Sequence, residues 1–362
     1  MDSNVGEDGL TMTIEKISRK YGLCGSLAVL GALALFLLSV SVTAAPKLKA
    51  RIIQTNAAGD NLHIIDPETN KVVGIIEGIE VGHGVAVAKD GSAIYVSDEG
   101  KSTLDVVDAK TLKVTHEIPL SGHPNNIALT PDGKRLYVAI VQPPGGLDVI
   151  DTVSLEDFKT VKTKGPIHNP YVTPDGKYVV ASSVVGKTVN VVDTQTNELS
   201  WYVQFELGAR PMTFYTNPDG STKWIFVQLS GMNGFVVIDF DTHKEIKRVT
   251  NPDLPPGKET VSAGADPSHG MAVTPDRKTL LVNSRLNNYL YAYSLPDLKV
   301  IGAAELGGKG AAWLTLTPDG KTAYVANAVT DNVSAVDVKS MKEIALIPVG
   351  FVPKRNTTGM LQ

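Results

Sequence analysis

Cysteine is nearly absent from this chain. Cys24 is the one cysteine in 362 residues, so no internal disulfide framework can form, and there is no Cys-x-x-Cys-His run to attach a c-type haem. A basic surplus is missing as well. The 34 Lys and Arg stand against 38 Asp and Glu, a formal net charge of −4, which argues against a nucleic-acid binder with its usual basic footprint. No Gly-x-Ser-x-Gly elbow, P-loop or dinucleotide fingerprint occurs in a credible context. Asp-rich metal loops are lacking too. What is plentiful is turn material, 33 Gly and 21 Pro, in a chain that is 43% hydrophobic and 20% charged. That is a globular composition with many short elements.

The N-terminal region reads as a targeting segment. Lys16, Arg19 and Lys20 precede an uncharged stretch over residues 21–45 that ends in Val42-Thr43-Ala44-Ala45. A basic region, an apolar region and small residues make an export signal, and Val42-x-Ala44 suits cleavage. The apolar run is also almost long enough for an uncleaved anchor. The expectation is a domain at 1–46 that acts as signal or anchor, and a domain at 47–362 in the periplasm or outside the cell. Membrane contact is then confined to the N-terminal segment.

From there a pattern recurs. Turns read AKDG at 88–91, TPDG at 130–133 and 173–176, NPDG at 217–220, TPDR at 274–277 and TPDG at 317–320. Their aspartates are 42, 43, 44, 57 and 43 residues apart. Pro presets the first turn dihedral and Gly accepts the positive φ that follows; Arg277 in place of Gly predicts a different or strained sixth turn. Short apolar strands flank each turn, and a more polar strand ends each unit. Four strands in about forty residues, repeated, predict an all-β fold, a β-propeller. Residues 50–79 supply three strands of a unit lacking its first, and 350–361 supply one spare strand. Joining them closes a seven-bladed ring without a long open edge. The long spacing comes from a loop insertion at 251–268, rich in Pro and Gly and running into His269.

Residues 124–139, PNNIALTPDGKRLYVA, and 315–327, TLTPDGKTAYVAN, resemble the YVTN-repeat β-propellers. The resemblance covers residue 47 to the C-terminus. Relatives include bacterial surface and periplasmic propellers, the haem-bearing domain of cytochrome-type nitrite reductases, and lactonase-like enzymes. The resemblance implies a seven-bladed ring whose ligands sit at one mouth of the central channel. It does not choose a reaction.

Stepping back seven residues from each turn aspartate gives His83, Asn125, His168, Met212, His269 and Ala312, and aligning Pro353 with Pro124 adds Lys354. Three of the seven slots hold His, on alternate blades. Equivalent slots of a ring face one axis, so His83, His168 and His269 should converge. They are the candidate metal ligands, for copper, zinc or iron, or for a non-covalent haem. Histidines lining a wet channel without function are the plainer alternative. His123 and Arg210 flank the slots. Arg285, Lys354 and Arg355 offer positive charge for a carboxylate or phosphate. Trp313 could stack on a planar ligand, and Asn56, Asp98, Gln228, Asn283 and Asn327 lie in the facing loops.

Three functions fit this pattern. The first is a periplasmic binding or redox-accessory protein holding a metal or metal-bearing cofactor on the histidine trio. The second is a metal-independent hydrolase or lyase of the lactonase-like kind, acting on a small anionic substrate with one His as base. The third is an interaction scaffold for a protein partner. In the first two a small molecule or metal is bound at the channel mouth.

Overall fold

A computed structural model describes residues 48–362, except 262, 263 and 265. Residues 1–46, read from the sequence as an export signal or anchor, lie outside the described residues. Among these residues no helix is long and apolar enough to cross a membrane.

The described chain forms seven antiparallel sheets of four strands, each one blade. Blade one is shared between the ends of the chain, as expected. Its inner strand is Pro353–Leu361, which pairs with Lys49–Asn56, followed outward by Asn61–Asp66 and Lys71–Glu77. The inner strands of blades two to seven are Gly82–Val87, Pro124–Leu129, Asn169–Val172, Ala209–Thr216, Ser268–Val273 and Ala311–Leu316. Closing the ring pairs both sides of the first strand of the domain, which removes an edge that would invite aggregation.

The core lies between blades. Ile53, Leu62, Ile64 and Ile76 of blade one pack on Val85, Ile94, Val96 and Val107 of blade two. A middle strand thus has a neighbouring blade on both faces, so Arg135–Ile140 buries five of its six residues. The outermost strand meets water on its edge, and Lys113–Pro119 is mostly exposed. This difference explains why the middle strands read as continuous apolar runs and the outer ones as mixed.

Aspartate is consumed by the turns. Thr130 donates to Asp132 at 2.6 Å, and Asp132 accepts from the Lys134 backbone at 3.1 Å. Asp175, Asp276 and Asp319 repeat the arrangement. Arg277 adopts the positive φ of 60° in place of glycine, and its guanidinium donates to the Asn217 carbonyl at 2.7 Å. The insertion is irregular backbone tied to blade six. The Val261 amide donates to the Leu286 carbonyl, Asn287 donates to the Pro252 carbonyl, and Lys258 pairs with Glu305.

Candidate functional site at one channel mouth

The first residue of each inner strand lies opposite the end of the second strand, as in Gly82 with Asp98 and Ser268 with Ser284. Regular pairing then breaks and resumes at Val85 and Met271. Such interruptions re-aim side chains, and the interrupted position is the slot predicted from the repeat. It holds His83, Asn125 and His269 as expected. His168 sits just before its strand, its amide donating to the Ser182 carbonyl at 2.8 Å. Lys354 follows Pro353, which faces Asn56.

Blade five corrects one assignment. Its inner strand has eight residues, Ala209–Thr216, with irregular pairing at both ends. Ala209 faces Leu229 and Met212 faces Val227, so Met212 matches Val85 rather than His83. The slot belongs to Arg210. The extra strand length separates slot and turn aspartate by more than the other blades do, so counting back from the turn lands too far along the strand.

The trio does converge. The His83 and His168 ring centres are 6.2 Å apart. Trp313 stands between His83 and His269, edge-on to each, at 5.4 Å and 4.1 Å. His83 and His269 are buried. His83 Nε2, His168 Nδ1 and His269 Nδ1 are all enclosed without a protein hydrogen-bond partner, as is Trp313 Nε1. Among the described residues, no group of three or more His, Cys, Asp or Glu is arranged to hold a metal ion. With the indole interposed, the imidazoles share a mouth but do not form one coordination set as they stand.

Two carboxylates missing from the sequence reading organise the site. Glu99 accepts from His83 Nδ1 at 2.7 Å and from the Asn125 amide at 2.8 Å, and His123 Nε2 lies 3.8 Å away. Asp266, at the end of the insertion, pairs with Arg210 at 2.7 Å and lies 3.8 Å from Arg285. Their signal was positional: Glu99 follows a second strand, and Asp266 precedes His269 by three residues. His123 is the most exposed of the group, a rim residue. Arg355 donates to the Tyr171 hydroxyl at 3.1 Å and lies over the Tyr171 and Trp313 rings.

Other candidates serve the scaffold. Asn283 accepts from the His269 and Gly270 amides, and Asp98 accepts from the Glu80 and Lys101 amides. Asn327 binds Asn332 and Ser334. Asn56 and the Gly350 amide hold His63. Gln228 differs, with both amide atoms buried and unpaired.

Burial sets the charge state. It drives the His168 pKa down to about 3, helped by His83 and Arg210. Burial, then Arg285, Arg210 and Lys354, hold His269 well below the usual value. Burial lowers His83 as well, against the opposing pull of Glu99. Burial would raise Glu99, but the hydrogen bond and charge of His83, then His123 and Asn125, bring it below the ordinary carboxylate value. Lys354 is lowered by burial and by Arg285. Arg210, Arg285 and Lys354 thus share the mouth with Glu99, Asp266 and imidazoles held toward the neutral form, and Arg355 lies over Trp313. Because His83 Nδ1–H is committed to Glu99, its lone pair is on the unpaired Nε2.

The family model for the lactonase, 7-bladed beta-propeller matches residues 148–344. A 46-residue stretch is 54% identical to antigen Lp49 of Leptospira interrogans, covering 13% of this chain and only 10% of that protein. Similar solved structures include hydrazine synthase of Kuenenia stuttgartiensis, 24% identical with a TM-score of 0.67, over 79% of this chain and 92% of that one. The periplasmic gluconolactonase PpgL of Pseudomonas aeruginosa is 18% identical with a TM-score of 0.67, over 86% and 99%. The dihydro-heme d1 dehydrogenase NirN, in complex with DHE, is 15% identical with a TM-score of 0.62, over 85% and 74%. At these identities the structures share the fold.

Proposed function

The chain belongs to the seven-bladed lactonase β-propeller family, and from that premise we propose that it hydrolyses a lactone ring on a small anionic substrate at the histidine mouth. The observation that carries this reading is the His83–Glu99 pair, whose enclosed Nε2 has no protein partner, beside Arg210, Arg285 and Lys354. The PpgL structure is named a gluconolactonase, which fits a sugar-acid class of substrate.

The chemistry follows from the residues. His83 Nε2 takes a proton from water, and Glu99 holds the ring orientation and stabilises the imidazolium that forms. The hydroxide adds to the lactone carbonyl. Lys354, Arg285 and Arg210 offset the negative charge that develops on its oxygen. The ring C–O bond breaks, and the leaving alkoxide takes the proton from His83. Water has then been added across the ester bond, leaving a hydroxy acid whose new carboxylate ionises. Arg210 and Arg285 supply planar donors for the substrate's anionic group. Trp313 offers a flat apolar wall.

The test is pH-stat hydrolysis of gluconolactone, 6-phosphogluconolactone and uncharged γ-butyrolactone. The phosphorylated lactone should have the highest kcat/KM. His83→Gln should lose roughly 10²- to 10⁴-fold, the usual contribution of a positioned general base. Turnover unchanged by H83Q, or no turnover of any lactone, would sink the reading.

A second reading keeps the metal, because each imidazole presents an unpaired ring nitrogen. It requires Trp313 to move. Metal content and an absorption spectrum, compared with a His83/His168/His269 triple Ala variant, decide it: bound metal or haem lost in the variant supports it, and a protein that refuses copper, zinc, iron and haem ends it. For either chemistry we propose an exported protein. Fusing residues 1–46 to a reporter active only outside the cytoplasm tests this, and a silent fusion contradicts it.

A further inference from the structure

Glu99 is held by more than His83. Its Oε1 accepts from His83 Nδ1 at 2.7 Å and from the Asn125 side-chain amide at 2.8 Å. A carboxylate can only accept, so it fixes which end of Asn125 faces it. The Asn125 side-chain oxygen then points away, and Asn126 Nδ2 donates to it at 2.8 Å. The same nitrogen donates to Asn169 Oδ1 at 2.6 Å. Both amide hydrogens of Asn126 are thus spent on neighbouring carbonyls, while its own Oδ1 is enclosed without a partner. Here Asn126 acts as a donor only.

The positions follow from the repeat. Asn126 and Asn169 each come one residue after the slot, on adjacent blades, so their side chains meet. The matching residue of blade two is Gly84, and a Cβ there would lie 2.8 Å from Asn126 Cα. That glycine lets the blade-three strand come close enough for Asn125 to reach Glu99. Ser97 donates to the Asn125 carbonyl and fixes the backbone, which leaves the side-chain orientation to Asn126. Asn125, Asn126 and Asn169 are 6%, 0% and 0% exposed. A turned amide would therefore set oxygen against oxygen with nothing to compensate. The chain of amides has one favourable direction, and it ends on Glu99.

We propose that Asn126, which makes no side-chain hydrogen bond to His83 or Glu99, is a positioning residue for His83 that acts through Asn125 and Glu99. Without it the Asn125 oxygen is unpaired, that side chain turns, and Glu99 loses a donor. Glu99 is then free to swing toward His123, 3.8 Å from its other oxygen, and the His83 ring is held less firmly. The effect on turnover rests on the hydrolytic role given to His83 above, whereas the effect on the ring does not.

The experiment is a double-mutant cycle in the full chain with two readings. One is kcat and KM for 6-phosphogluconolactone. The other is the downfield imidazole N–H proton resonance that His83→Gln removes. Asn126→Ala should lower kcat about 10-fold with KM within about 2-fold, as loss of an outer hydrogen-bonding partner does, and should move the resonance. Asn125→Ala should do both at least as strongly. Added to N125A, N126A should change kcat by less than about 2-fold and shift the resonance no further, because its path to Glu99 is already cut. If N126A does not fold, N126S, which keeps one donor, takes its place in the cycle with a smaller loss and the same non-additivity. Losses that multiply, an N126A protein with the kcat and resonance of wild type, or a wild type lacking the resonance overturns the proposal. A wild type that hydrolyses no lactone ends the hydrolytic reading instead, and the resonance cycle alone then decides whether Asn126 positions His83.

Discussion

Replacing His168 with asparagine should remove about one proton's worth of pH dependence from folding stability. In the folded protein burial, with His83 and Arg210, holds the imidazole at a pKa of about 3, whereas in the unfolded chain it titrates near 6.5. As pH falls below 6.5 the unfolded state takes up a proton that the folded state refuses. Stability is therefore complete above the unfolded value and is lost as pH falls toward 3. At about 1.4 kcal/mol per pH unit, the loss at pH 5 is about 2 kcal/mol relative to pH 7.5. The asparagine side chain is polar and similarly placed but does not titrate. Urea unfolding of both proteins at pH 7.5, 6.5, 5.5 and 5 measures this. The carboxylates are common to both and cancel in the difference, including Asp105 and Asp157, which are raised to about 6 and act with the opposite sign. H168N should gain about 2 kcal/mol on wild type between pH 7.5 and 5, whatever its offset at pH 7.5. Parallel curves would mean that His168 accepts its proton in the fold as readily as outside it. The case for neutral imidazoles at this mouth would then fail.

Glu99→Gln should cut kcat by roughly 10- to 100-fold with little change in KM, because the amide can present the wrong hydrogen-bonding group to His83 Nδ1; an unchanged kcat would remove Glu99 from the mechanism. Asp105 is buried, and burial raises its pKa to about 6. A carboxyl raised above its unfolded value of about 3.8 costs stability as pH rises through 6. Asp105→Asn should therefore gain on wild type by about 3 kcal/mol between pH 3.5 and 7.5 in urea titrations; no gain contradicts the shift. Deleting residues 353–362 removes the strand that closes blade one, so the truncated chain should lose cooperative thermal unfolding and associate through the exposed edge, as calorimetry and light scattering would show. A monomer that melts like the intact protein refutes that role. Tyr324→Phe should cost about 1–2 kcal/mol, since its hydroxyl donates to Asn70 at 2.6 Å and links blade seven to blade one; an unchanged urea midpoint would show the link to be neutral.

The blade count, the strand order within a blade and the shared first blade were all legible in the chain. Those features rest on local chemistry. A Pro-Asp-Gly turn joins neighbouring strands, and apolar runs mark strands packed on both faces. Because the period is nearly constant, it carries His83, His168 and His269 to one mouth without any knowledge of side-chain contacts. It failed where the spacing inside a blade changed although the period held: the longer inner strand of blade five moved the slot from Met212 to Arg210. What only the tertiary structure decided is which groups touch across blades. Glu99 reaches His83, Asp266 binds Arg210, Trp313 separates two imidazoles, and Arg355 stacks beneath them. Those partners lie many residues apart or in a loop of irregular length, where no periodicity links them. Burial too belongs to the assembled ring, and burial is the main reason the histidines are neutral. Sequence position brings the imidazoles together, but the enclosure formed by seven packed blades sets their protonation and hence the chemistry open to them.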